Sequence, residues 1–194
     1  MVDYLAQTAT PSRLILGIAG EPGAGKSTIA AALAARLGAA LLPMDGYHLP
    51  QARLVELGRR DRMGAPDTFD VDGFVATLAA LRSGDTVLAP SFDREVEEAV
   101  ADAIEIRPSE RTVIVEGNYL LLNSGGWERV AGLLDVTFFV GVDHDIRLSR
   151  LIERHVRFGK SAEEARAWSL GPDEANARLI AATAVHADHV IALG

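Results

Sequence analysis

No cysteine occurs in the 194 residues, so disulfide scaffolds, cysteine-ligated zinc and thiol nucleophiles are excluded from the outset. Lysine is nearly missing as well: Lys26 and Lys160 are the only two, and arginine supplies the rest of the 19 basic residues. Positive charge is in deficit, with 27 acids giving a net charge of −8, which argues against nucleic acid as a partner. No apolar run approaches the roughly 18 residues that a membrane-spanning helix requires. The opening stretch, MVDYLAQTATPSR, has an acid at Asp3 and no apolar core, unlike a secretory signal, and a cytoplasmic location is expected. Repeats and low-complexity blocks are absent too. What is present is ordinary for a globular chain, 48% hydrophobic and 24% charged, of a length that suits one domain over 1–194.

Short apolar runs alternate with helical spacings. LILGIA (14–19) reads as a buried strand, and KSTIAAALAARL (26–37) as a helix stopped by Gly38. AALLPM (39–44), RTVIV (111–115), VTFFVGV (136–142) and HVIAL (189–193) are further strands, and 86–89 and 104–107 are short strand candidates. Val71–Ser83 is a helix with Asp70 as its N-cap and Gly84 beyond its end. His144–Phe158 is an arginine-rich helix, and 162–185 is helical with a break at Gly171-Pro172; residues 1–12 read as a loose lead-in. This alternation predicts an α/β fold on a mainly parallel sheet, three layers deep. Such sheets bind ligands beyond the carboxyl ends of their strands. Gly20–Ser27, Asp45 and Glu116 all follow strands, so they are expected to converge on one crevice.

Gly20-Glu21-Pro22-Gly23-Ala24-Gly25-Lys26-Ser27 fits G-x-x-x-x-G-K-[ST] without a gap. Its glycines let successive backbone N–H groups point inward as an anion nest, and the helix behind it adds its N-terminal dipole. Lys26 is placed to reach the β/γ-phosphates of a nucleotide, and the Ser27 hydroxyl to ligate Mg²⁺, with Thr28 completing the loop. A preceding strand and a following helix supply the right context. The loop alone does not separate kinases from GTPases or other ATPases, but no N-K-x-D guanine motif is present.

The segments that follow, GEPGAGKST, MDGYHL (44–49), APDTFD (65–70), APSFDRE (89–95), VEGNYLLL (115–122) and RLSRLIERHVRFGK (147–160), resemble in order those of the P-loop kinases of the uridine kinase, phosphoribulokinase and bacterial pantothenate kinase superfamily. Within it the likeness is to the short bacterial group described as nucleoside/nucleotide kinases or fructose-transport-system kinases. The resemblance implies a three-layer P-loop fold with a small helical lid at about 147–162, and an ATP- and Mg²⁺-dependent transfer to a hydroxyl. It makes Asp45 the catalytic base, since a kinase acting on an alcohol needs a carboxylate to orient the hydroxyl and accept its proton. Glu116 is a candidate for Mg²⁺ or for the acceptor. Tyr47, His48, Asp67, Phe69, Phe92, Asp93, Arg94, Asn118 and Tyr119 are candidates for the acceptor pocket; core packing competes for Phe69 and Phe92, a surface ion pair for Asp93-Arg94, and helix capping for Asn118. Where uridine kinases carry a His and an Arg after the Pro-aromatic-Asp segment, this chain has Arg94-Glu95-Val96-Glu97-Glu98-Ala99. That departure favours a polyhydroxylated acceptor, fructose-like, over a pyrimidine nucleoside, because carboxylates accept hydrogen bonds from hydroxyls.

Arg147, Arg150, Arg154 and Arg157 recur at intervals of three and four, which places them on roughly one helical face. In the kinase reading Arg150 and Arg154 contact the phosphates, neutralise charge on the transferring group and exclude water, with Lys160 as a further phosphate candidate. The five histidines form no metal-binding spacing, Trp168 reads as packing, and the stretch 186–188 is expected near adenine by analogy with relatives. Two other functions compete: a regulatory nucleotide-binding ATPase without an acceptor, and a nucleoside monophosphate kinase, which would need no base at Asp45. The expected partner is a small hydroxylated molecule, with the protein a monomer or homodimer.

Overall fold

The computed structural model describes residues 13–193, so the expected lead-in at 1–12 lies outside the described residues. Five strands form one sheet: β1 (Leu14–Gly20), β2 (Ala40–Pro43), β5 (Thr112–Glu116), β6 (Val136–Val142) and β7 (His189–Leu193), in the order β2-β5-β1-β6-β7. Every pairing is parallel. The sequence reason is visible in β1 and β5, whose side chains are apolar on both faces, as a sheet covered on both sides demands. Ile15, Ala19, Val113 and Val115 enter one core; Ile18 and Ile114, at the alternate positions, enter the other.

The second core is closed by α1 (Lys26–Leu37) through Ala30 and Ala34. The first is larger and takes Phe74, Leu78 and Leu81 of α3 (Val71–Ser83), together with Trp127, Tyr119 and Phe69. Two layers of non-strand structure therefore flank the sheet, giving the expected three layers. Asp70 caps α3, accepting from Gly73 N at 2.9 Å. The expected helical stretch 162–185 divides at Gly171-Pro172 into α5 (Ala162–Leu170) and α6 (Pro172–Ala181). The arginine-rich helix is α4 (His144–Arg157), capped by Asp143.

Two features differ from the sequence reading. A six-residue helix, α2 (Gln51–Glu56), follows the β2 segment. The short strand candidates are the outer ends of a longer antiparallel hairpin, β3 (Val87–Asp93) with β4 (Glu98–Ile106), outside the main sheet. Its register shifts between Ala89 and Ser91, where Pro90 lacks the N–H a ladder needs and Asp102 of β4 takes a φ of 53°. The irregular hairpin hides the alternation that would mark it as strand. Its tip reaches the carboxyl end of the main sheet and brings Phe92, Arg94 and Glu97 there.

Arg13 lies fully buried just before β1. Its guanidinium donates to the carbonyls of Leu81, Asp85, Arg107 and Glu110, tying the end of α3 to the turn between β4 and β5. Among the described residues no helix is long and apolar enough to cross a membrane.

Candidate active site

The loop from Gly20 to Lys26 leaves the carboxyl end of β1 and turns through Gly23 (φ 83°) and Gly25 (φ 95°) into α1. Ala24 N donates to Glu21 O at 3.1 Å, and the buried Lys26 folds back so that Nζ donates to the same carbonyl at 2.9 Å. Helix α4 rests directly on the loop. A Cβ on Gly23 would lie 2.7 Å from the Arg147 carbonyl oxygen and 2.9 Å from Leu151, so the close approach requires glycine there. Arg150, Arg154 and Arg157 then line a crevice with Gly23, Gly25, Lys26, Ser27 and Thr28. Arg147 departs from the shared face: it is buried, reaching Glu174 of α6 in a short contact and Glu21 at 3.5 Å. The spacing of the four arginines was legible, but the inward turn of the first depends on acids from two distant segments.

A second cavity, of about 130 Å³, opens on the other side of Lys26 and Ser27. The three expected strand-end groups converge on it: Lys26 and Ser27 from the loop, Asp45 after β2, and Glu116 at the end of β5. Lys26, Ser27 and Arg154 line both the crevice and this cavity. Arg94 Nη2 meets Asp45 Oδ2 at 2.5 Å. Burial alone pushes the Asp45 carboxyl up, but Arg94, backed by His48, Arg154 and Lys26, overrides it and holds the group below the usual carboxylate range. Gly46 allows this meeting, since a Cβ there would sit 2.2 Å from the Pro90 carbonyl oxygen of the hairpin.

His48 lies tilted against both Phe69 and Phe92, with ring centroids 4.0 and 4.6 Å away, and its Nδ1 lies 2.8 Å from Asp45 O. Burial lowers its pKa, against the opposing pull of Asp45. Burial likewise lowers the pKa of Lys26 and, with the nearby Arg94 in the same sense, that of Arg154. The Arg154 side chain makes no hydrogen bond or ion pair to any described residue. The Glu116 carboxyl is pushed up, first by burial and then by Asp45, with Lys26 opposing. Ser27 Oγ donates to Glu116 Oε1 at 3.2 Å, while Glu116 Oε2 is buried without a partner. A hydroxyl beside a buried carboxylate with a vacant oxygen is a donor set that a hard divalent cation takes.

Asp45, His48, Phe69, Phe92, Arg94, Glu116 and Asn118 thus share one cavity wall. Four other candidates do not. Tyr119 is fully buried and donates from its hydroxyl to Gly64 O; Tyr47 donates to Thr77; Asp67 pairs with Arg59 and Arg62 outside; Asp93 accepts from Glu95 N and Val96 N to close the hairpin turn. The expectation for 186–188 is also corrected. Asp188 accepts from Thr137 N and Oγ1 at the start of β6, and in a parallel sheet that is the end away from the phosphate loop.

The structure also lines the cavity with Arg60 and Glu97, paired at 2.5 Å, with His155 and Asp173, paired at 2.7 Å, and with Asn176. Trp168 lies at the cavity as well, with Lys160 Nζ 5.1 Å from its ring centroid and 3.9 Å from Glu97. Arg60 and His155 each pair with an acid far away in sequence, which only the fold brings close.

Comparison with known proteins adds relatives to this geometry. A profile described as the Phosphoribulokinase / Uridine kinase family matches residues 15–192. A crystal structure from Silicibacter sp. TM1040, provisionally described as a fructose transport system kinase, superposes with a TM-score of 0.89 at 37% identity, over 98% of this chain and 95% of that one. The ATP-dependent kinase-like protein notR' of Aspergillus versicolor is 38% identical over 76% of this chain and 87% of its own length. A uridine kinase of Clostridium perfringens is 31% identical over 74% of this chain and 68% of its own.

Proposed function

The chain belongs to the phosphoribulokinase/uridine kinase family, and on that premise we infer that it is a small-molecule kinase moving the γ-phosphoryl group of ATP to a hydroxyl of a sugar-like acceptor. One observation supports this above the others: the loop crevice and the cavity holding Asp45 share Lys26, Ser27 and Arg154 as a common wall. A nucleotide in the crevice presents its terminal phosphate at that wall, and an acceptor in the cavity presents its hydroxyl from the other side.

The residues then take separate tasks. Backbone N–H groups of Gly20–Thr28 hold the phosphates, and Arg150 and Arg154 neutralise charge as it spreads over the transferring group. Asp45, kept ionised by Arg94, orients the acceptor hydroxyl and takes its proton late in the transfer. Ser27 and Glu116 are the residues that would hold Mg²⁺, whose contribution is to offset phosphate charge. Helix α4 and the loop to residue 162 serve as the lid, excluding water that would otherwise consume ATP.

The cavity lining favours the sugar-like acceptor. The walls carry paired carboxylates and cations, Asp45 with Arg94 and Glu97 with Arg60, to which a hydroxyl can both donate and accept. The test is coupled ADP release from Mg-ATP with D-fructose, D-ribose, glycerol, uridine and pantothenate as acceptors, using Lys26→Ala as the blank. Lys26-dependent turnover of a sugar establishes the reading. ATP binding that no acceptor accelerates into turnover overturns it.

A further inference from the structure

Helix α4 shows two different faces to the site. Arg150, Arg154 and Arg157 point into the loop crevice, whereas His155, the residue after Arg154 and so about 100° round the helix, lines the other cavity. His155 Nε2 lies 2.7 Å from Asp173 Oδ2 of α6, and both side chains are largely buried, with exposures of 16% and 11%. A carboxylate can only accept, so Nε2 carries the proton in this pair. The other ring nitrogen, Nδ1, has no hydrogen-bond partner among the described residues. Asn176, one turn after Asp173 on the same helix, lines the cavity beside them with its side chain mostly buried.

A largely buried imidazole fixed through one nitrogen leaves the other to pair with a hydroxyl, which can both donate and accept. Asp45, for the reacting hydroxyl, lines the same cavity. We propose that His155, oriented by Asp173, receives a second, non-reacting hydroxyl of the acceptor and so determines which acceptors are used. His155 is the specificity-determining residue here, and Asp173 is a positioning residue that fixes its direction. A consequence is that the lid helix reads both substrates: its arginines meet the nucleotide and its histidine meets the acceptor. The inference rests on the kinase reading above and extends it to acceptors with at least two hydroxyls.

The experiment compares wild type with His155→Phe, His155→Asn and Asp173→Asn. Acceptors are D-fructose, D-ribose and uridine, each beside its monodeoxy analogues, and affinity for a non-hydrolysable ATP analogue is measured separately. For the acceptor that wild type uses, KM rises about tenfold in His155→Phe, the loss of one hydrogen bond to a buried partner. It rises less in His155→Asn, whose side-chain oxygen can stand in for Nδ1, and kcat and nucleotide affinity hold. One monodeoxy analogue, lacking the hydroxyl that His155 receives, loses the difference between wild type and variant. An unchanged KM in His155→Phe, or nucleotide affinity falling in step with it, overturns the inference and leaves the kinase reading standing. No Lys26-dependent turnover with any of these acceptors removes both.

Discussion

Asp45 carries a tension between burial, which favours its neutral form, and Arg94, which favours the charged one. Two outcomes follow at this scale. Asp45→Asn should lower kcat by about 10²–10⁴-fold while ATP affinity, measured by calorimetry, stays close to wild type. Arg94→Met should remove the strongest opposition to burial, so the Asp45 pKa rises. Activity needs the ionised carboxylate and is lost as pH falls through that pKa; the acid limb of the kcat/KM profile should therefore move to higher pH in the variant. The residues behind these predictions were unequally legible. Asp45, Lys26 and Ser27 stand in short motifs next to strand ends, where local sequence dictates position. Tyr119 and Tyr47 share those motifs, yet their hydroxyls go to Gly64 and Thr77 because the aromatic cluster around Trp127 and Phe74 claims their rings. His155 and Arg60 were not legible as site residues, because each meets its acidic partner only through folding.

At the scale of elements, helix α4 and the phosphate loop meet too closely for a side chain at Gly23. Gly23→Ala combines a Cβ 2.7 Å from the Arg147 carbonyl with a φ of 83°. It should weaken ADP binding by roughly tenfold or more, as loop or helix gives way, a loss that equilibrium titration of the purified variant would show. Arg13 works at the far end of the sheet, donating to carbonyls from α3 and the β4–β5 turn. Arg13→Met removes all of these hydrogen bonds and strands the buried Leu81 carbonyl, which should cost about 3 kcal/mol, read as a lower urea midpoint with an unchanged slope. Elements with strong local signals, β1, α1, α3 and β6, stood where periodicity and caps placed them. The β3–β4 hairpin did not show its full length, since EAVADAIEI lies outside the main sheet, partly in solvent, with a register shift. Helix α2 is too short for periodicity to register.

Taken as one molecule, the protein gathers the ends of three neighbouring parallel strands, a hairpin tip and the α4–α6 segment around a single site. Binding at such a junction should stabilise the whole. At a hundredfold excess over Kd, a non-hydrolysable ATP analogue should add about 2.7 kcal/mol, roughly 5–10 °C in Tm for a chain of this size. Lys26→Ala should lose most of that shift in a thermal melt. The shared wall between crevice and cavity has one more consequence. With donor and acceptor on either side of the same three residues, phosphorus has a single displacement to undergo. An isotopically chiral γ-phosphate should leave with its configuration inverted, and initial rates plotted against each substrate at fixed levels of the other should give intersecting lines.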